Sequence, residues 1–144
     1  MRRLLSGKTM DEVAIERLQY FEENALEMAS DGYYLAYSGG KDSDVILHLA
    51  KRAGVKFTAH HNLTTVDSPE CVYHVRSHPE VEIHKPEMTM WELIKKKGLP
   101  PRRNIRYCCE VLKEGGGAGH IILTGVRWGE SNRRSKRQMN EACY

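Results

Sequence analysis

The sequence is short of the features that mark several specialised folds. Its four cysteines, Cys71, Cys108, Cys109 and Cys143, include no C-x-x-C pair, so neither a thioredoxin motif nor a four-ligand zinc ribbon is available. A disulfide framework is not expected in a reducing compartment. No apolar run approaches the roughly 20 residues that span a bilayer, and Met1 to Gly7 has two arginines but no apolar core of a secretory signal. The expectation is a soluble, cytoplasmic chain with no membrane partner. There is no internal repeat. Hydrophobic residues at 40% and charged residues at 28% are ordinary globular values, which excludes collagen-like, coiled-coil and wholly disordered chains. A length of 144 residues suits one domain with a core of its own.

The formal net charge of +3 is unevenly spread. Residues 127–144 hold Arg127, Arg133, Arg134, Lys136 and Arg137 against Glu130 and Glu141, which accounts for the whole excess. A second basic segment, 95–109, has Lys95, Lys96, Lys97, Arg102, Arg103 and Arg106 with no acid. Two such segments on a near-neutral body suit an anionic ligand site or a nucleic-acid patch; the plain alternative is a solvated charged face.

Apolar spacing alternates helix with strand. Thr9 to Glu12 forms a capping-box pattern, and Ile15, Leu18, Phe21, Ala25 and Met28 follow at intervals of three or four, which predicts one helix stopped by Asp31-Gly32. Tyr33 to Tyr37 reads as a buried strand, and Val45, Ile46, Leu49 and Ala53 as a helix closed by Gly54. Val55 to His60 is a second strand, after which Ser68, Pro69 and Glu70 open a helix with proline at its first position. Val81 to His84 is a third strand, and Thr89 to Glu92 a second capping box for a helix ending at Gly98. Arg106 to Lys113 is a short helix, 115–119 a glycine-rich connector, and Ile121 to Thr124 the last strand. This order predicts an α/β fold, a doubly wound, mostly parallel sheet with helices on both faces.

Ser38-Gly39-Gly40-Lys41-Asp42-Ser43 falls between the first strand and its helix, where such a sheet opens its ligand crevice. Two glycines let backbone approach a phosphate, the N–H groups of the following helix point at the anion, and Lys41 adds positive charge. Asp42 suits a helix cap or a magnesium ion bridging it to phosphate. The loop is not a Walker A motif, because Leu35 stands where the first glycine is needed and Asp42 at the Ser/Thr position. It is not a dinucleotide fingerprint either, since Lys41 follows Gly39 where glycine is required.

This loop resembles the PP-loop of the adenine-nucleotide alpha-hydrolase-like ATP pyrophosphatases. From about Tyr34 to Arg137 the chain resembles the phosphoadenosine phosphosulfate (PAPS) reductase family within them, through Thr64 to Glu70, Arg106 to Cys109 with Leu112-Lys113, and Gly125 to Ser131. The resemblance implies that Ser38, Gly39, Gly40, Lys41, Asp42 and Ser43 hold phosphates or sulfate. It implies that Thr64, Thr65, Asp67 and Gly125 to Arg127 lie around the adenosine. Arg106, Lys113, Arg127 and Arg133 would line the crevice with positive charge. Lys41 and Asp42 are the candidate catalytic residues, and the ligand is ATP or a sulfonucleotide (PAPS or APS), with Mg2+.

Three activities follow from the resemblance. An intact loop is typical of members that cleave ATP between its α- and β-phosphates and adenylate a substrate, and this reading is favoured. Sulfonucleotide reductases use a thiolate from a C-terminal segment, and some hold an iron–sulfur cluster on a Cys-Cys pair with a later C-x-x-C; Cys108 and Cys109 match the pair, but no C-x-x-C follows. The third is a nucleotide-binding module without turnover. The basic tail leaves nucleic acid or a sulfur-donor protein open as partners, and a homo-oligomer is also open. The expected organisation is one PP-loop domain over 1–144, without the cysteine-bearing end of longer relatives.

The remaining polar and aromatic residues read more plainly. His74 and His78 share a helix face at i, i+4, but no third ligand follows at a usual spacing and Pro79 ends the helix, which argues against a metal. His60 reads as a hydrogen-bonded strand-end residue, Trp91 as packing, Trp128 as a cover for the site, and Cys71 as a small apolar residue.

Overall fold

Leu35 and Ala59 stand opposite one another on neighbouring strands, both buried, and the sheet grows outward from that pair. The computed structural model describes residues 7–113, 115–127, 129, 132, 134–136 and 138. The chain runs α1 (Met10–Tyr20), α2 (Glu22–Met28), β1 (Tyr33–Ala36), α3 (Lys41–Ala53), β2 (Phe57–Asn62), α4 (Pro69–Arg76) and β3 (Val81–His84). It continues with α5 (Met90–Lys97), α6 (Tyr107–Leu112) and β4 (Ile122–Leu123), then a 3-10 turn at Arg134–Lys136. The four strands lie in the order β3-β2-β1-β4, and every pairing is parallel. No helix among the described residues is long and apolar enough to cross a membrane.

The strand order explains the layering. From β1 to β2 to β3 the chain steps one way, and from β3 to β4 it returns past β1. Right-handed crossovers then set α3 and α4 on one face and α5 and α6 on the other. On the first face Tyr33, Leu35, Ala59 and Val81 pack with Leu47 and Ala50 of α3, Val75 of α4, and Ile15 and Leu18 of α1. On the second face the Asn62 amide donates to the Lys113 and Gly115 carbonyls at 3.0 and 2.9 Å, docking the end of α6. Leu93, Tyr107 and Leu112 form a smaller cluster between α5 and α6.

Local chemistry sets most element ends. Thr9 with Glu12 and Thr89 with Glu92 both close full capping boxes, and Ser68 accepts from Cys71 N ahead of α4. The single helix expected to Met28 is two, parted at Phe21, so Phe21 packs on the core while Tyr20 stays 77% exposed. The second strand begins and ends two residues later than its composition suggests, because His61 and Asn62 pair with Ile83 and His84. The last strand shrinks to the two residues that pair with Tyr34 and Leu35.

Candidate functional site

β1 runs through Tyr37 into the loop, and α3 begins at Lys41. The N-cap is Gly40, which has no side chain to offer the first turn. The Ser43 and Asp44 N–H groups turn back to the Gly40 carbonyl at 2.9 and 3.1 Å. Those of Lys41 and Asp42 are left at the helix N-terminus, where the dipole favours an anion. Ser43 Oγ donates to Gly40 O at 2.7 Å and accepts from Ser38 Oγ at 3.2 Å, so two serines brace the loop from inside. Gly39 has φ +76°, and a Cβ there would fall 2.7 Å from Val75 Cγ2 and 2.9 Å from Cys71 Sγ. The loop backbone therefore rests directly on α4.

Cys71 belongs to this floor. Its thiol donates to Ser38 O at 3.7 Å. Burial and the Asp67 charge push that thiol up, while the Lys113 ammonium pulls it back. Loop, Asp67 and Lys113 thus share one electrostatic neighbourhood.

Strand order reverses between β1 and β4, and ligands in such sheets bind beyond the strand ends at that reversal. Gly125, just after β4, presses against the first turn of α3: a Cβ on it would lie 2.9 Å from both C and O of Asp42. Arg127 Nε sits 2.9 Å from Asp42 Oδ2, joining the two sides of the crevice by an ion pair. Lys41 is exposed beside it.

The segment after β2 is held in an unusual shape. Thr64 is buried, its N–H donates to Asp67 Oδ2 at 2.7 Å, and Val66 N–H donates to Thr64 Oγ1 at 3.4 Å. Thr65 has φ +66°, a region costly for a β-branched residue, and its Oγ1 accepts the Met90 N–H at 2.9 Å. The next loop is thereby fastened to the start of α5.

Of the residues singled out in the sequence, Ser38 to Ser43, Gly125 and Arg127 come together, whereas Asp67 holds Thr64 N in its own loop and Lys113 is docked through its carbonyl on Asn62. Arg106 donates from Nη2 to Cys109 Sγ at 3.2 Å on its own helix. Lys95, Lys96 and Lys97 occupy the last turn of α5, where the helix dipole favours cations. Arg133, together with Trp128, Ser131, Arg137 and Cys143, lies outside the described residues. An iron–sulfur cluster would need four thiolates; α6 supplies Cys108 and Cys109, and Cys71 is engaged beneath the loop, so the described residues do not fit one.

The sequence reading passed over two side chains, Tyr37 and Asp44. The Tyr37 hydroxyl donates to Asp44 Oδ1, and burial and that contact hold the phenol well above its ordinary value. For Asp44 burial works upward, but bonds with Tyr37 and His74 outweigh it, so its carboxyl lies below the usual range. His74 Nε2 is 3.0 Å from both Asp44 oxygens. Asp44 was findable in principle: it is three residues from buried Leu47, hence on the face of α3 turned inward.

Two of the surface concavities among the described residues bear on the site. The larger, about 480 Å³, is bordered by Gln19, Glu22, Glu23, Leu26 and Glu27 on α1 and α2, a lining of the wrong charge for a nucleotide. The smaller, about 260 Å³, lies between Asn62, His84, Lys85, Val111 and Gly115 at the ends of β2 and β3 and over α6. Residues 32–142 match the family model of the phosphoadenosine phosphosulfate reductase domain. None of the curated proteins matches the chain.

Proposed function

Because the chain belongs to the phosphoadenosine phosphosulfate reductase domain family, we propose that it binds the phosphates of an adenine nucleotide on the PP-loop and cleaves ATP between its α- and β-phosphates, adenylating a second substrate. One observation carries this reading. Across the reversal of the sheet, Asp42 and Arg127 neutralise each other at 2.9 Å beside the exposed Lys41. A guanidinium fork suits a phosphate, and the carboxylate it would release on taking one suits a magnesium ion that keeps phosphate oxygens as its other ligands.

In the proposed step an oxygen of the second substrate attacks the α-phosphorus. The bridging P–O bond to the β-phosphate breaks, and pyrophosphate leaves with the electron pair. The Lys41 ammonium and the N–H groups of Lys41 and Asp42 meet the charge growing on the leaving oxygens. Asp42 would hold Mg2+, which when bound supplies further charge neutralisation. No side chain has to form a covalent bond, which accords with the raised, engaged thiol of Cys71.

The test is calorimetric titration of the protein with MgATP and with PAPS, followed by assays for pyrophosphate and sulfite. We expect MgATP binding and slow pyrophosphate release, with water standing in for the missing acceptor. Lys41→Ala should cut that release about 100-fold. Sulfite formed from PAPS would replace this reading with reduction, and binding without either product would leave a nucleotide-binding module.

A further inference from the structure

Away from the nucleotide crevice, α3 and α4 bring two imidazoles and a carboxylate into one group. Asp44 comes from the first turn of α3, His74 from the last turn of α4, and His78 from just beyond the end of α4. Their ligand atoms all lie within 4.8 Å of one another. Sequence spacing found only the two histidines; the third donor arrives through the fold. We infer that Asp44, His74 and His78 bind a divalent transition-metal ion of the zinc class, with a fourth position open to water.

Spacing supports this. Tetrahedral metal–ligand bonds of about 2.0–2.1 Å put neighbouring ligand atoms about 3.3–3.4 Å apart. His74 Nε2 stands 3.0 Å from Asp44 Oδ2, and His78 Nε2 stands 4.0 Å from Asp44 Oδ1. The first distance is a little shorter and the second longer than that spacing, so an ion on binding would part His74 from Asp44 slightly and draw His78 inward. Two imidazoles with one carboxylate suit zinc and its neighbours rather than magnesium or calcium, which prefer oxygen.

The surroundings have the character of an outer ligand shell. Glu80 Oε1 lies 3.6 Å from His78 Nδ1, on the far side of the ring from Nε2, and Lys51 in turn pairs with Glu80. A carboxylate hydrogen-bonded behind a ligating histidine fixes its tautomer and its aim, a contact that Glu80 would make by closing from 3.6 Å. The Tyr37 hydroxyl donates to Asp44 Oδ1, orienting the third ligand in the same way. All three side chains remain 29–42% exposed, so an ion has a path in.

A second imidazole group, His60 and His84 with Glu82, makes a useful contrast. There the two rings already share a 2.8 Å hydrogen bond, and the other His60 nitrogen is 2.9 Å from Thr58 Oγ1. His60 is thus engaged by a second imidazole and a hydroxyl, whereas His74 Nε2 is bonded to Asp44, itself one of the three proposed ligands, with the Tyr37 hydroxyl at 3.3 Å. An ion at Asp44 would pin the first turn of the PP-loop helix to α4.

The experiment uses untagged full-length protein, stripped with chelator and titrated with Co2+ and then Zn2+. The expected result is one equivalent of Co2+ with visible d–d absorption of a nitrogen- and oxygen-ligated ion, displaced by Zn2+. Saturating Zn2+ at about a hundredfold over its Kd should raise the melting midpoint by roughly 5–10 °C. His78→Gln, which alters a residue outside any helix, should weaken binding at least about 100-fold while circular dichroism stays unchanged, and Glu80→Gln about tenfold. Asp44→Asn should abolish the cobalt spectrum. Absence of binding by folded wild type, binding that survives His78→Gln, loss on His84→Gln, or a thiolate-to-cobalt charge-transfer band would each overturn the inference.

Discussion

The two faces of the sheet are built on different chemistry. The face under α1, α3 and α4 is mostly apolar, with Tyr33 and Leu35 on β1, Ala59 on β2, Val81 on β3 and Leu123 on β4, and buried His61 of β2 as its polar exception. The opposite face carries Tyr34, His60 and His84, stacked ring on ring with centroids 4.2 and 5.0 Å apart, and His120 meets the edge of Tyr34. One face is held by area removed from water, which tolerates exchange among apolar residues of similar volume. The other is held by aromatic contact and paired imidazole nitrogens, which tolerate little.

Three substitutions or conditions should separate these faces. The largest effect belongs to Leu35→Ala on the apolar face: the side chain is wholly buried, and its loss should cost about 3–4 kcal/mol in urea unfolding. A cost under about 1 kcal/mol would mean that the apolar face is not the main source of stability.

Next comes the stack. A double-mutant cycle between Tyr34→Leu and His60→Leu should show a coupling of about 0.5–1.5 kcal/mol, since the rings lie within 6° of parallel. Strictly additive costs would show that the rings touch without stabilising one another. The smallest effect is in pH. Burial, then the charge of His84, lowers the His60 pKa below its ordinary 6.5; Glu82 and Asp31 pull upward and His120 adds to the lowering. The unfolded chain therefore takes up the proton more readily. His60 contributes stability above that ordinary value which is lost as pH falls through it. Unfolding followed between pH 7.5 and 5.5 should show this decline in wild type and in Leu35→Ala, and a flatter profile in His60→Leu.

How much of this was readable in the sequence follows from the same contrast. The apolar face was legible because its signal is local: Val81 to His84 was placed at its observed bounds, and the two capping boxes and Ser68 with Pro69 marked helix starts correctly. The placement of Ser38 to Ser43 between the first strand and its helix was legible because these residues are consecutive. Strand β2 was misplaced because its end is set by pairing with β3, more than 20 residues away. The Asp42–Arg127 pair and the meeting of Asp44 with His74 join residues 85 and 30 apart in the chain. No spacing rule reaches that far. A mostly parallel sheet followed from the alternation of elements, but that all four strands are parallel, and the point where their order reverses, required the strand pairings themselves.

The seat of Gly39 on α4 has a consequence for how this sequence can vary. Residues 39, 71 and 75 occupy one shared volume, because any side chain at 39 would overlap Cys71 Sγ and Val75 Cγ2. The Ser38–Ser43 loop and the helix beneath it are thus not independent parts. A bulkier residue at 71 or 75 would lift the loop from below, and a smaller one would leave it unsupported. The shape of this turn is set as much by the side chains of Cys71 and Val75 as by its own glycines.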